Sequence, residues 1–368
     1  MRNAVAPLCL AILLAHPAFA QPSSPEGKRG GTISAGHNHT CYVPPSGRVL
    51  CWGANESGQA RGRAGRATPT PVAVIRPEEA RAVTAGGWHS CAVTRRGTME
   101  CWGLDDRGQL GLPARAGAVT FTAVEAHVRH TCALAANARV YCWGDNELGQ
   151  LGDGTRVSRA DPRPIRSPRR FVAITVGGTH ACALGEDGAA YCWGHNDYGQ
   201  AAGAEQGEEV PRVRVPDGLR FRQLSAGGHH TCGVASDDRV WCWGANHHGQ
   251  AGGPRDEESS PPTSVDGPRF ASVHAGTHHT CALTPEGEAW CWGDGSRGQL
   301  GDGRRSWSGG ARPVAAGGLR FRTLDLGTQH SCGVTFDEKV YCWGRNDEGQ
   351  LGDGTFISRP APTLVGTR

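Results

Sequence analysis

A seven-bladed, all-β propeller is the fold this sequence predicts, and three observations carry the prediction. Fourteen of the 15 cysteines fall into seven pairs with nine residues between partners. Each second cysteine is followed by Trp-Gly, and its neighbours repeat at spacings of 50, 41, 50, 50, 49 and 51 residues. The 368-residue chain contains 55 glycines and no long helical apolar pattern. A period near fifty without helical periodicity fits propeller blades and not a helical solenoid.

The chain opens on an export signal in this reading. Arg2 gives a positive start, Leu8 to Ala15 (LCLAILLA) a short apolar run, and Ala18-Phe19-Ala20 a small-x-small cleavage site. Residues 1–20 are the expected signal peptide, 21–30 a short linker and 31–368 the propeller. Cleavage after Ala20 removes Cys9 and leaves an even 14 cysteines in a periplasmic or secreted chain, the setting in which disulfides form. Nothing after residue 20 is apolar for long enough to span a membrane.

The pairs are Cys41 with Cys51, Cys91 with Cys101, Cys132 with Cys142, Cys182 with Cys192, Cys232 with Cys242, Cys281 with Cys291 and Cys332 with Cys342. In THHTCALTPEGEAWCWG, opposing Cys281 to Cys291 leaves Pro285-Glu286-Gly287 as a three-residue hairpin loop, with glycine where a left-handed residue is needed. Gly47, Gly97 and Gly188 repeat that position, whereas Ala138, Asp238 and Glu338 replace it. The same register opposes Thr280 to Trp292 and Ala282 to Trp290, small against large. Directly opposed strand residues lie within disulfide range, so one bridge inside each hairpin is expected. A zinc site would need four ligands at one point with closer spacing. No metal and no cofactor is expected.

The consensus stands nearly complete in residues 327–354, GTQHSCGVTFDEKVYCWGRNDEGQLGDG. It resembles the repeats of the regulator of chromosome condensation family, and those of the related secreted beta-lactamase inhibitor propeller. The resemblance covers residues 31–365 and implies seven blades, each a four-stranded antiparallel sheet. The cysteine pairs depart from the nuclear members. The second repeat is short, and its segment 112–130 lacks the usual Gly-Gly, so its outer strand is expected to be truncated or missing.

A histidine stands two residues before each first cysteine: His39, His89, His130, His180, His230, His279 and His330. Sevenfold symmetry spreads such a position around a ring, so these read as hydrogen-bonding structural residues and not as ligands of one ion. The repeated Trp-Gly tryptophans read as blade packing. The asparagines Asn55, Asn146, Asn196, Asn246 and Asn346 read as turn residues.

Function is expected where the repeats differ. Trp88 and Trp307 stand outside the repeated aromatic positions, and residues 156–170 (RVSRADPRPIRSPRR) hold six arginines, Arg163, Arg166, Arg169 and Arg170 among them. These six named residues are the candidate partner-binding set. Loops with Glu205, Glu208, Glu209, Asp256, Glu257 and Glu258 are acidic instead. No catalytic triad, paired-carboxylate or phosphate-loop motif appears. A net charge of +3 does not fit a nucleic-acid binder. The reading is a monomeric, non-enzymatic module that presents variable loops to an extracytoplasmic protein. The alternatives are a multivalent, lectin-like glycan binder and a nucleotide-exchange regulator of the kind the resemblance implies.

Overall fold

A computed structural model of the chain describes residues 31–74, 79–111, 119–201, 213, 215–216, 218–254 and 258–366. The expected signal peptide and linker lie outside the described residues. Seven antiparallel sheets follow one another along the chain, each built only from consecutive strands. Blade one comprises Thr32–Ala35, His39–Val43, Leu50–Gly53 and Thr68–Ala73. Blade seven comprises Phe321–Leu326, His330–Thr335, Val340–Gly344 and Arg359–Leu364. The first strand of every blade abuts the first strand of the next, and that of blade seven returns to that of blade one. First strands therefore line the axis and fourth strands form the rim.

Five sheets have four strands, and those of blades two and four have three among the described residues. The short second repeat was expected to lose its outer strand. The three-stranded fourth sheet departs from the four strands the family resemblance implies. In both blades much of the segment in question (112–118 and 202–212) lies outside the described residues. Blade four keeps one trace of an outer strand: Val213 donates its N–H to Ala190 O at 2.8 Å, as Val74 does to Val49 O at 3.0 Å in blade one. Proline is frequent in the rim strands (TPTPVA, RADPRP, SSPPTS, RPAPTL). A rim strand tolerates the missing N–H, and the loss discourages edge-to-edge association.

The hairpin register is the one the cysteine spacing predicts. Cys281 faces Cys291, Thr280 faces Trp292, Ala282 faces Trp290 and Leu283 faces Ala289. All seven bridges join the expected partners, with Cα atoms 4.0–4.1 Å apart. The third loop residue is left-handed in every hairpin, including the three without glycine: Ala138 at φ 64°, Asp238 at 65° and Glu338 at 62°. That conformation has a use beyond the turn. It aims the carbonyl at the next blade, so Phe121, Phe171, Phe221, Phe270 and Phe321 each donate their N–H to the left-handed residue of the preceding hairpin.

The apolar core is divided into seven clusters, each pressed between two neighbouring blades. Phe171, Tyr191 and Trp193 of blade four, for example, meet Leu134 and Val140 of blade three. A polar relay crosses the same seams. At the seam of blades four and five, His180 Nε2 meets Thr231 Oγ1 at 2.8 Å. Thr231 Oγ1 and Trp243 Nε1 both donate to Gln200 O, at 3.0 and 2.9 Å. Because the hydroxyl proton is committed to the glutamine carbonyl, the histidine must be the Nε2–H tautomer and donate. The relay thus carries histidine and tryptophan from one blade to the next. The histidines read from the sequence as hydrogen-bonding structural residues, and six of the seven bond across the seam to the next blade.

Ring closure uses these devices and needs no shared strand. His330 Nε2 reaches Thr40 Oγ1 at 2.9 Å, and Trp52 Nε1 donates to Gln350 O at 2.9 Å. The carboxylate of Glu338 replaces the usual carbonyl clasp. It accepts from Gly31 N at 3.0 Å, from Arg322 Nη2 at 3.2 Å and from Tyr42 Oη at 3.4 Å.

Candidate partner-binding surfaces

In each blade the loop after the first strand and the loop after the third lie at one end of the ring. The hairpin between the second and third strands lies at the other end, with the connection to the next blade. This follows from antiparallel order alone. Besides the relay, the leader's His16 and the axial His274, seven histidines remain: His37, His127, His195, His229, His247, His248 and His278. All belong to the first end, counting His127 at the tip of its inner strand, and the sequences of the hairpin loops contain none.

Trp88 belongs to that end. It is half-buried, less exposed than a free aromatic loop residue would be. The ring of His37 stands edge-on to it at 5.0 Å and that of His127 lies 5.8 Å from His37. The Arg129 guanidinium covers Trp88 at 5.6 Å and pairs with Asp106 at 3.3 Å. His127 occupies a position held by glycine in the other six blades, which is why the short repeat lacks Gly-Gly. A second group lies further round the ring. Tyr198 packs against His229 at 5.6 Å and His247 at 5.3 Å, and His248 meets His278 at 4.9 Å. Enclosure lowers His37 and His278 to about 4 and also lowers His229, so these rings are uncharged at neutral pH. These three rings offer neutral donors and acceptors, and beside His37 the guanidinium of Arg129 lies over Trp88.

The other expected residues are not brought to this cluster. Trp307 is at the same end but near the rim, 44% exposed. Arg163, Arg166, Arg169 and Arg170 lie on the rim strand of blade three and the connection after it, toward the opposite end. Arg163 pairs with Asp161 at 2.6 Å, Arg170 with Glu186 at 3.1 Å, and Arg169 lies over Tyr191 at 4.8 Å. Glu205, Glu208, Glu209, Asp256 and Glu257 fall outside the described residues. Trp241 and Trp290, in the aromatic slot that Tyr141, Tyr191 and Tyr341 fill in other blades, are half-buried, and their buried Nε1 atoms have no acceptor among the described residues.

The axis holds residues that sequence reading missed. One inner-strand position is Ser34, Thr84, Glu125, Thr175, Ser225, His274 and Asp325 in blade order, each opposite the first cysteine. Ser34, Thr84, Thr175 and Ser225 accept an N–H from the next blade, at 3.0, 2.9, 2.8 and 2.9 Å. Asp325 does the same for Ala35 N at 2.8 Å. Glu125 is open to solvent at the axis yet walled by protein. Enclosure pushes its carboxyl up to about 8, with the charge of Asp325 adding to the effect, while enclosure takes Asp325 to about 6. Reading that column for a departure from Ser/Thr would have found both carboxylates. Among the described residues no group of three His, Cys, Asp or Glu is placed to hold a metal ion, and no helix is long and apolar enough to cross a membrane.

The seam between blades three and four is the exception to the relay. Ala181 stands where the other blades have Ser or Thr, and both nitrogens of His130 are buried without a partner. Val128 N, which could have bonded across the seam, turns to His127 Nδ1 at 2.9 Å. Glu125 makes no bond to blade four among the described residues.

Comparison with known proteins agrees with this architecture. The RCC1-like domain matches residues 113–368, and the regulator of chromosome condensation (RCC1) repeat matches 32–59 and 80–109. Human WBSCR16 is similar at 20% identity and TM-score 0.76, covering 83% of this chain and 86% of that one. Prp20p of Saccharomyces cerevisiae is similar at 19% identity and TM-score 0.76, covering 90% and 86%. The CRINKLY WD40 ectodomain of the Arabidopsis thaliana receptor kinase ACR4 is similar at 21% identity and TM-score 0.56, covering 90% and 97%. The human E3 ubiquitin-protein ligase HERC2 is 44% identical over 57 residues, which is 15% of this chain and 1% of that protein. The match to that relative is thus confined to about one repeat of a far longer chain. The seven blades, their repeat and the family match over most of the sequence lead to one conclusion: this chain belongs to the RCC1-like propeller family.

Proposed function

We propose that the chain is a non-enzymatic docking ring that binds an extracytoplasmic protein through the end carrying Trp88. The observation that carries this reading is the group of Trp88, His37, His127 and Arg129, which departs from the repeat on three successive blades and makes one surface. Aromatic and arginine side chains held in place before binding are what anchor protein interfaces, because little freedom remains to be lost. The seven disulfides are consistent with an oxidising compartment. Similar folds are described as binding Gsp1p and histones, in yeast Prp20p, and as a receptor-kinase ectodomain, in ACR4. The test is capture from cell-envelope and medium extracts by the oxidised chain, beside the variant Trp88→Ala/Arg129→Ala. A stoichiometric protein lost with the variant supports the reading; capture unchanged by the variant, or turnover of a substrate without capture, contradicts it.

A second reading, glycan binding, is favoured by one observation. Asn146, Asp153, Thr155 and Arg159 on blade three recur as Asn346, Asp353, Thr355 and Arg359 on blade seven, with matching bonds. On blade three Asp153, Thr155, Arg159, Arg163 and Pro164 line an open cavity of about 310 Å³. Elution of a captured partner by free sugar would favour this second reading.

A further inference from the structure

The hairpin end has an uneven charge that the docking reading does not use. In blades one to three the hairpin loops carry Arg48, Arg95, Arg96 and Arg139, all exposed, and no acidic residue. In blades four to seven they carry Glu186, Asp187, Asp237, Asp238, Glu286, Glu288, Asp337 and Glu338 against Arg239 and Lys339. Most of the second group is already neutralised by the chain itself. Asp238 pairs with Arg222 at 2.7 Å, Glu288 with Arg320 at 2.9 Å, Asp337 with Lys339 at 2.8 Å and Glu338 with Arg322 at 3.2 Å.

The first group is not neutralised. Among the described residues none of Arg48, Arg95, Arg96 and Arg139 has a carboxylate partner. Arg95 instead donates to Pro45 O at 3.0 Å, which ties the tip of blade two to that of blade one. Arg170, in the connection after blade three, reaches Asn137 O in the tip of blade three at 3.4 Å. The tips of blades one to three and the Arg166–Arg170 connection therefore form one arc. Two described acidic residues adjoin it: Glu79, exposed, whose backbone packs on the Gly47 turn and accepts from Arg95 N at 3.0 Å, and Glu186, already paired with Arg170.

We propose that this arc docks an acidic protein surface, one that places carboxylates opposite Arg48, Arg96 and Arg139. Guanidinium groups left without a partner on rigid, disulfide-closed hairpins suit bidentate pairing with carboxylates. Folded protein fits better than a uniform polyanion such as a sulfated polysaccharide, because Glu79 interrupts the arc and would meet a continuous run of anionic groups. A protein surface can leave that point uncharged. The site lies at the opposite end from the Trp88 group and does not rest on that reading.

The test uses the oxidised full chain and a fluorescent twenty-residue peptide whose glutamates are separated by uncharged Gly-Ser pairs, at low salt, with heparin, a continuous polyanion, as the comparison. Arg48→Glu/Arg96→Glu/Arg139→Glu is measured beside Arg61→Glu/Arg66→Glu/Arg304→Glu, which makes the same charge change at the Trp88 end. The expected result is peptide binding that weakens at least tenfold in the arc variant and less than twofold in the control, and that falls with added salt. Equal weakening in both variants would reduce the effect to net charge and overturn the proposal. Absence of peptide binding, or heparin binding through the arc while the peptide is excluded, would overturn it too. Circular dichroism and the denaturant midpoint report whether the arc variant is still folded.

Discussion

His130 is the histidine that reveals what the others do. Six relay histidines donate to a hydroxyl on the next blade; His130 meets Ala181 and is left with two unpartnered nitrogens in a buried site. An unmet buried donor costs about 1–3 kcal/mol, and meeting it recovers about 1 kcal/mol net. Ala181→Thr should therefore stabilise the ring by about 1 kcal/mol, read by denaturant unfolding, while Thr231→Ala should destabilise it by about 1–3 kcal/mol. A second pair of substitutions tests the left-handed clasp. Ala138 sits at φ 64°, where a Cβ costs about 1–2 kcal/mol, so Ala138→Gly should stabilise by up to about 1 kcal/mol. Glu338 has the same backbone, but its carboxylate holds Gly31, Arg322 and Tyr42 at the closing seam. Glu338→Gly should be destabilising. If both glycine variants moved stability in the same direction, the clasp would have no role in closure.

At the scale of the element, the hairpin was almost fully legible in the sequence. Nine residues between cysteines fix the register, the register fixes which side chains face one another, and Gly287 marks the left-handed position. What the hairpin does for its neighbour was not legible. The carbonyl of residue 138 or 238 carries no sequence identity, so its bond to Phe171 or Phe270 can only be seen in three dimensions. The same holds for the inner strands, whose Glu125, His274 and Asp325 are far apart in sequence and share the axis only once the ring closes. Trp88 was legible as a departure from the repeat, but its burial under Arg129 was not. Within one hairpin the bridge is the main covalent restraint. Replacing Cys132 and Cys142 together by alanine should cost about 2–3 kcal/mol by the loop-entropy account, measured by denaturant midpoint under oxidising conditions.

The whole molecule is a ring of polar seams, and this makes it acid-labile. Burial takes His39, His89, His180 and His330 to about 3, His130 and His279 to about 4, and His230 well below its ordinary value. Above pH 6.5 these groups are neutral whether the chain is folded or not, and they cost nothing. Below it the unfolded chain binds protons that the folded chain refuses, at up to about 1.4 kcal/mol per group per pH unit. Glu125 and Asp325 act the other way, since their raised values favour the folded chain as pH falls. They are two against these seven and five more lowered histidines, His37, His127, His229, His274 and His278. Stability should therefore fall steeply between pH 6.5 and 4, and a thermal midpoint that stayed flat across that window would contradict the buried, neutral relay.

All of this depends on a ring whose disulfides stay inside single blades, while its seams are held by packing, hydrogen bonds and ion pairs such as Arg129 with Asp106. Peptide mapping of the oxidised chain without reductant reads this directly. The account predicts seven bridged pairs, each joining cysteines ten positions apart. Bridges that join different repeats, or free thiols at these fourteen positions, would contradict it.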